Sequence, residues 1–139
     1  MEMNNGLRCL YLLPGIAETS AAFVALEQSL QEAGYTVDFW RTDEIPNASA
    51  PPKEPLLKLI QRAEFIVADL TDHSPNVIYG IGLADAYRKP VLLIVQENHL
   101  PLPSTFNGEI YLSYKTTQLD RLRDYVKAWA RYYHQAAAA

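Results

Sequence analysis

Apolar residues fall along this chain in two alternating patterns: short unbroken runs, and stretches repeating every three or four positions. Residues 7–13 form the first run and stop at Pro14-Gly15, as expected of a strand buried on both faces. Phe23, Leu26, Leu30 and Ala33 then recur at helical spacing. Glu18, Thr19 and Ser20 supply capping oxygens before them, and Gly34 supplies a left-handed stop after them. Residues 36–40 are rich in β-branched and aromatic types and predict a second strand, followed by a polar, proline-rich loop over 41–52. Pro55 opens a second helix whose apolar face is Leu56, Leu59, Ile60 and Ala63.

The same alternation continues to the end. A third strand is expected over 65–70, a third helix over 76–88 with Asn76 as its N-cap, and a fourth strand over 90–95. A fifth strand over 109–114 alternates Ile110 and Leu112 with polar or tyrosyl neighbours. Thr116 or Thr117 caps a last helix carrying Leu119, Leu122, Val126 and Ala130. Strands separated by helices require right-handed crossovers and a parallel sheet covered on both faces. The expected architecture is a flavodoxin-like three-layer α/β sandwich with five parallel strands in the order 2-1-3-4-5. Residues 1–135 read as one domain and the alanines at 136–139 as an appended or disordered tail.

Composition narrows the function. A chain of 139 residues, 49% hydrophobic and 20% charged, fits a single domain with a real core. Its net charge of −4 argues against a long nucleic acid as partner, because phosphate-backbone binders carry a basic surface that releases counterions. Cys9, the single cysteine, sits in an apolar run and reads as a buried structural thiol. No run approaches the roughly 20 apolar residues of a membrane helix, and the N-terminus has no basic-then-apolar leader pattern, so a cytoplasmic protein without a membrane partner is expected. His99 and His134 lack metal-ligand spacing, and His73 reads as a solvated loop residue. GxSxG, HExxH, GxxxxGK[ST] and GxGxxG are all absent, and neither a metal nor a cofactor is implied.

In an open parallel sheet of this order the loops leaving strands one and three part to form a crevice. That crevice would be lined by Pro14, Gly15 and Glu18 on one side and by Asp69, Thr71 and Asp72 on the other, with Asn76, Tyr79 and Gly80 closing it. Asp69, at a strand end, has the chemistry to accept hydrogen bonds from ribose hydroxyls while still solvated, or to cap the loop through its own backbone. Tyr79 and Trp40 each offer a ring either for stacking on a base or for filling the core. Gly80 and Gly82 each cost a helix interior roughly 1 kcal/mol relative to alanine, which calls for close approach of a ligand or strand.

The segments LYLLPG, EAGYTVDFWRTDEI, IQRAEFIVADLT, PNVIYGIGLADAYRKPVLLI and FNGEIYLSY together resemble the nucleoside 2-deoxyribosyltransferase-like proteins, relatives in fold of the TIR domains. The resemblance runs from Leu10 to about Val126. It implies a small nucleoside or nucleotide ligand, with Asp69 orienting the ribose. By that resemblance active members carry a glutamate where this chain has Gly80, serving as nucleophile or ribose ligand at the anomeric carbon. The implied function is therefore binding of a nucleotide, nucleoside or cyclic nucleotide by a catalytically impaired domain, in nucleotide signalling or phage defence. Two alternatives stand beside it. One is an N-glycosidase with a displaced carboxylate at Asp72 or Glu18, with Glu97 a further candidate and Asp85 pointing elsewhere. The other is a TIR-like interaction module forming a homodimer or higher oligomer, for which Tyr125, Trp129, Tyr132 and Tyr133 offer a surface.

Overall fold

A computed structural model describes residues 7–16, 19–41, 53–106 and 108–138. Its strands are β1 (Arg8–Leu13), β2 (Thr36–Arg41), β3 (Phe65–Asp69), β4 (Val91–Gln96) and β5 (Tyr111–Tyr114). All neighbouring strands pair in parallel, in the order β2-β1-β3-β4-β5. The helices are α1 (Ser20–Glu32), α2 (Lys53–Arg62), α3 (Pro75–Ala86) and α4 (Leu119–Ala138). This is the expected flavodoxin-like arrangement. Of the expected site residues, Glu18 lies outside the described residues, as does the loop over 42–52.

Alternation along the strands sends side chains into two separate cores. Cys9, Tyr11, Phe65, Val67 and Ile94 pack toward α1 and α4, where Leu26, Leu30, Leu122 and Val126 meet them. Leu10, Leu12, Ile66, Ala68 and Leu93 pack toward α2 and α3, against Leu56, Ile60, Val77, Ile81 and Ala84. β3 is buried at all five positions, so it is the wall between the two cores. Phe65 anchors the first core, with Tyr35, Trp129 and Tyr133 edge-on around it. Two of the C-terminal aromatics are thereby committed to packing, while Tyr125 and Tyr132 stay exposed. Burial, with Asp38 nearby, pushes the Cys9 thiol up to about 12, which is the inert structural thiol expected.

Several element ends differ from expectation. Ser74, not Asn76, caps α3: its hydroxyl accepts from Val77 N at 3.4 Å, and Pro75 occupies the first turn, where a missing N–H costs nothing. α3 stops at Ala86 because Arg88 turns left-handed, with φ 58°. Thr19 does not cap α1; its hydroxyl donates back to the Ile16 carbonyl at 2.9 Å. β5 begins only at Tyr111, and Ile110 is 90% exposed, outside either core.

The two α3 glycines have different reasons. A Cβ on Gly80 would lie 2.8 Å from Leu12 Cδ1, so the bare backbone lets α3 settle against β1. Gly82 is exposed and nothing lies within 4 Å of its missing Cβ, so no close approach explains it. Gly82→Ala is therefore expected to raise stability by about 1 kcal/mol. Gly80→Ala gains the same helix propensity but must displace Leu12, and should fall below Gly82→Ala by about 1–3 kcal/mol. Urea unfolding of the two variants checks this, and equal effects would mean that Leu12 does not confine α3.

Candidate functional site

The candidate site is the point where the strand order reverses, at the carboxyl ends of β1 and β3. β1 delivers Pro14, which is buried, and Gly15, which is half-buried. The turn beyond them is held by Thr19, whose hydroxyl reaches the carbonyls of Ile16 and Pro14 at 2.9 and 3.4 Å.

β3 delivers Asp69 in the second of the two roles open to it, capping its own loop instead of standing open to a ligand. Its carboxylate is fully buried and faces the α1/α4 core. Tyr114 Oη donates to Asp69 Oδ2 at 2.7 Å across β4, and the Thr71 amide donates to Oδ1 at 2.9 Å. The second bond closes a tight Asx turn directly after the strand. Thr71 is likewise internal: it is buried, and its hydroxyl accepts from Gln96 N at 2.9 Å. Asp69 and Thr71 thus tie β3, β4 and β5 together, and water does not solvate the Asp69 carboxylate. Tyr11 Oη is buried in the same core without a hydrogen-bond partner, and burial, with Asp69 nearby, holds that phenol well above its ordinary range.

Past Thr71 the chain makes a strained turn. Asp72 and His73 both adopt left-handed backbone, with φ 71° and 50°, at roughly 1–2 kcal/mol each for residues with a Cβ. Local bonds hold them there. His73 N donates to the Leu70 carbonyl at 2.8 Å, and its ring Nε2 meets the His99 carbonyl at 3.0 Å, so it must carry the proton. His73 is therefore a fastening, not the solvated residue expected. Asp72 is exposed on the turn. Strain of this kind concentrates at functional sites, where surrounding contacts over-determine an unfavourable conformation.

α3 supplies the remaining side. Asn76 is half-buried, and Tyr79 is 44% exposed. Gly80 is buried, and its missing side chain would point at Leu12 in the α2/α3 core. Trp40 is half-buried against that same core, so its ring is at least partly committed to packing. Among the alternative carboxylates, Asp85 borders a groove with Pro90 and Val91 at the opposite end of the strands, as expected of a residue pointing elsewhere. Glu97 is exposed, 3.8 Å from Lys115. Sequence reasoning missed Tyr114, because nothing near residue 114 signals a partner 45 positions earlier.

The buried carboxylate has a pH signature. Desolvation raises the Asp69 pKa, against the lowering effects of its bonds from Thr71 and Tyr114 and of nearby His99. A carboxyl raised on folding favours the native state fully below its ordinary value of about 3.9 and loses that contribution as pH rises through the raised value. Asp69→Asn removes the titration. The urea midpoint of the unmodified protein, relative to that of Asp69→Asn, should therefore be highest at low pH and fall toward neutrality. A difference that does not change with pH would contradict this.

With the geometry in view, solved structures with the same fold can be set beside it. The CMP N-glycosidase BcmB from Clostridium botulinum superposes with a TM-score of 0.57 at 20% identity, over 81% of this chain and 97% of that one. A fungal multi-domain GH3 β-N-acetylglucosaminidase, described with a GCN5-related glucosamine N-acetyltransferase region, gives 0.55 at 15% identity. That match covers 85% of this chain but 13% of the fungal protein. No family model matches the chain, and no curated protein sequence matches it. At these identities the likeness establishes the fold, shared along nearly the full length of the Clostridium protein.

Proposed function

We propose that this protein binds a nucleoside or nucleotide at the carboxyl ends of β1 and β3 and does not cleave the glycosidic bond from residue 80. The observation that carries the reading is the contact between Gly80 and Leu12. Residue 80 has no group that can attack an anomeric carbon or stabilise positive charge, and the space its Cβ would take is filled by Leu12 Cδ1, 2.8 Å away. The fold shared with a CMP N-glycosidase supports the ligand class. Tyr79 presents an accessible ring for a base, and Asn76 a half-buried amide on the same helix. Asp69, held by Tyr114 and Thr71, acts here by fixing the rim.

One observation favours a second reading, an active N-glycosidase. The Asp72–His73 turn is strained and presents a carboxylate on the loop that leaves β3. If Asp72 reached the anomeric carbon, its oxygen would form a glycosyl ester as the base departed with the bonding electrons and took up a proton. Water would then hydrolyse the ester and restore the carboxylate.

A thermal-shift screen of nucleosides, mononucleotides including CMP, NAD and cyclic nucleotides separates the two when each hit is assayed for released base. A ligand well above its dissociation constant raises the melting temperature of the state it binds. The expected result is a shift without free base, reduced in Tyr79→Ala. Base release abolished by Asp72→Asn would establish the second reading instead. No shift with any nucleotide would remove both.

A further inference from the structure

Strand β5 ends the sheet, and no described strand pairs with its outer edge. Edge strands are ordinarily guarded by charges, proline or a bulge. Residues 110–114, Ile-Tyr-Leu-Ser-Tyr, contain neither a charge nor a proline. Ile110, with 90% of its surface in solvent, stands at the start of this edge. Beside the same edge runs a groove of about 260 Å³ between β5 and α4, lined by Leu112, Tyr114, Leu122, Tyr125 and Arg121. An unpaired strand thus has a projecting apolar side chain before its first residue and a groove beside its carboxyl end.

We propose that a second copy of this chain docks here, β5 against β5, antiparallel about a two-fold axis at Leu112. The sequence itself selects the register. Centring on Leu112 sets Tyr111 opposite Ser113, Ile110 opposite Tyr114, and Glu109 opposite Lys115. The charged pair forms twice, once on each side of the axis, as an isologous contact requires. Centring one residue later sets Glu109 against Thr117, and one residue earlier sets it against Ser113; either shift loses both ion pairs. Lys115 is available for this role, because its own approach to Glu97 is a loose 3.8 Å contact between two half-exposed side chains.

The faces agree with the register. Leu112 and Tyr114 point to the α1/α4 side, and strand alternation carries Ile110 to that side when the ladder extends by one residue. Residues directly opposite in an antiparallel pair share a face. Ile110 of each copy therefore comes to lie beside Tyr114 of the other, at the groove. The docking also completes the hydrogen bonding of the open edge. This proposal does not rest on the ligand reading, since it uses a different edge of the sheet.

Sedimentation velocity over a concentration series tests it. The expected result is reversible association to twice the chain mass. Glu109→Lys and Lys115→Glu should each weaken it on the order of tenfold, because each puts two like charges opposite one another. The double exchange Glu109→Lys/Lys115→Glu should restore it, and Ile110→Asp should leave a monomer. All three positions are exposed, and unchanged thermal unfolding of the variants verifies that folding is intact. A protein that stays monomeric at every concentration overturns the proposal. So does a dimer indifferent to Ile110→Asp, or a double exchange that fails to recover association.

Discussion

The close approach of Leu12 to the bare face of Gly80 constrains how α3 packs on β1. A Cβ at residue 80 would lie 2.8 Å from Leu12 Cδ1, so the end of the Leu12 side chain would have to shift to admit it. Leu12 belongs to the core that α2 and α3 share with the sheet, so moving it disturbs Leu10, Val77 and Ala84 as well. In a close-packed interior such space cannot be opened locally without cost. Residue 80 therefore carries no side chain and sits buried beside Leu12 in that core.

On the opposite face of the sheet a polar tie does comparable work. Asp69, Thr71, Gln96 and Tyr114 join the carboxyl ends of β3, β4 and β5 through bonds of 2.7–2.9 Å. A buried carboxylate is expensive unless it is hydrogen-bonded, and here two donors from different elements meet it. The result is a rigid base for the strained Asp72–His73 turn, which the His99 carbonyl fastens from the β4 side. The residues that read as ligand contacts in the chain thus divide in the fold. Asp69 and Thr71 support the rim, while Asp72 and Tyr79 face solvent from it.

Much of the fold was legible because the signal was local. The runs at 7–13, 65–70 and 90–95 are hydrophobic on both faces, which only a covered parallel sheet can satisfy. The strand order then followed from strand and helix alternation and right-handed crossovers. What stayed hidden depends on contacts between distant segments. The fate of Asp69 turns on Tyr114, and the backbone of Asp72 on bonds around it that no residue pattern announces. Asn76 looked like a cap because it follows a proline, yet the helix begins one residue earlier and Ser74 takes the role. Gly82 shows a different limit. The sequence demanded a reason for it, and the packing supplies none.

The most direct test of the account is an amide NMR titration of the protein with whichever nucleoside or nucleotide gives the largest thermal shift. Binding at the reversal of strand order predicts perturbations grouped at residues 14–16 and 69–80, with the ligand's own signals unchanged in chemical identity over hours. Perturbations grouped elsewhere on the sheet, or the growth of free-base signals in the same tube, would contradict it.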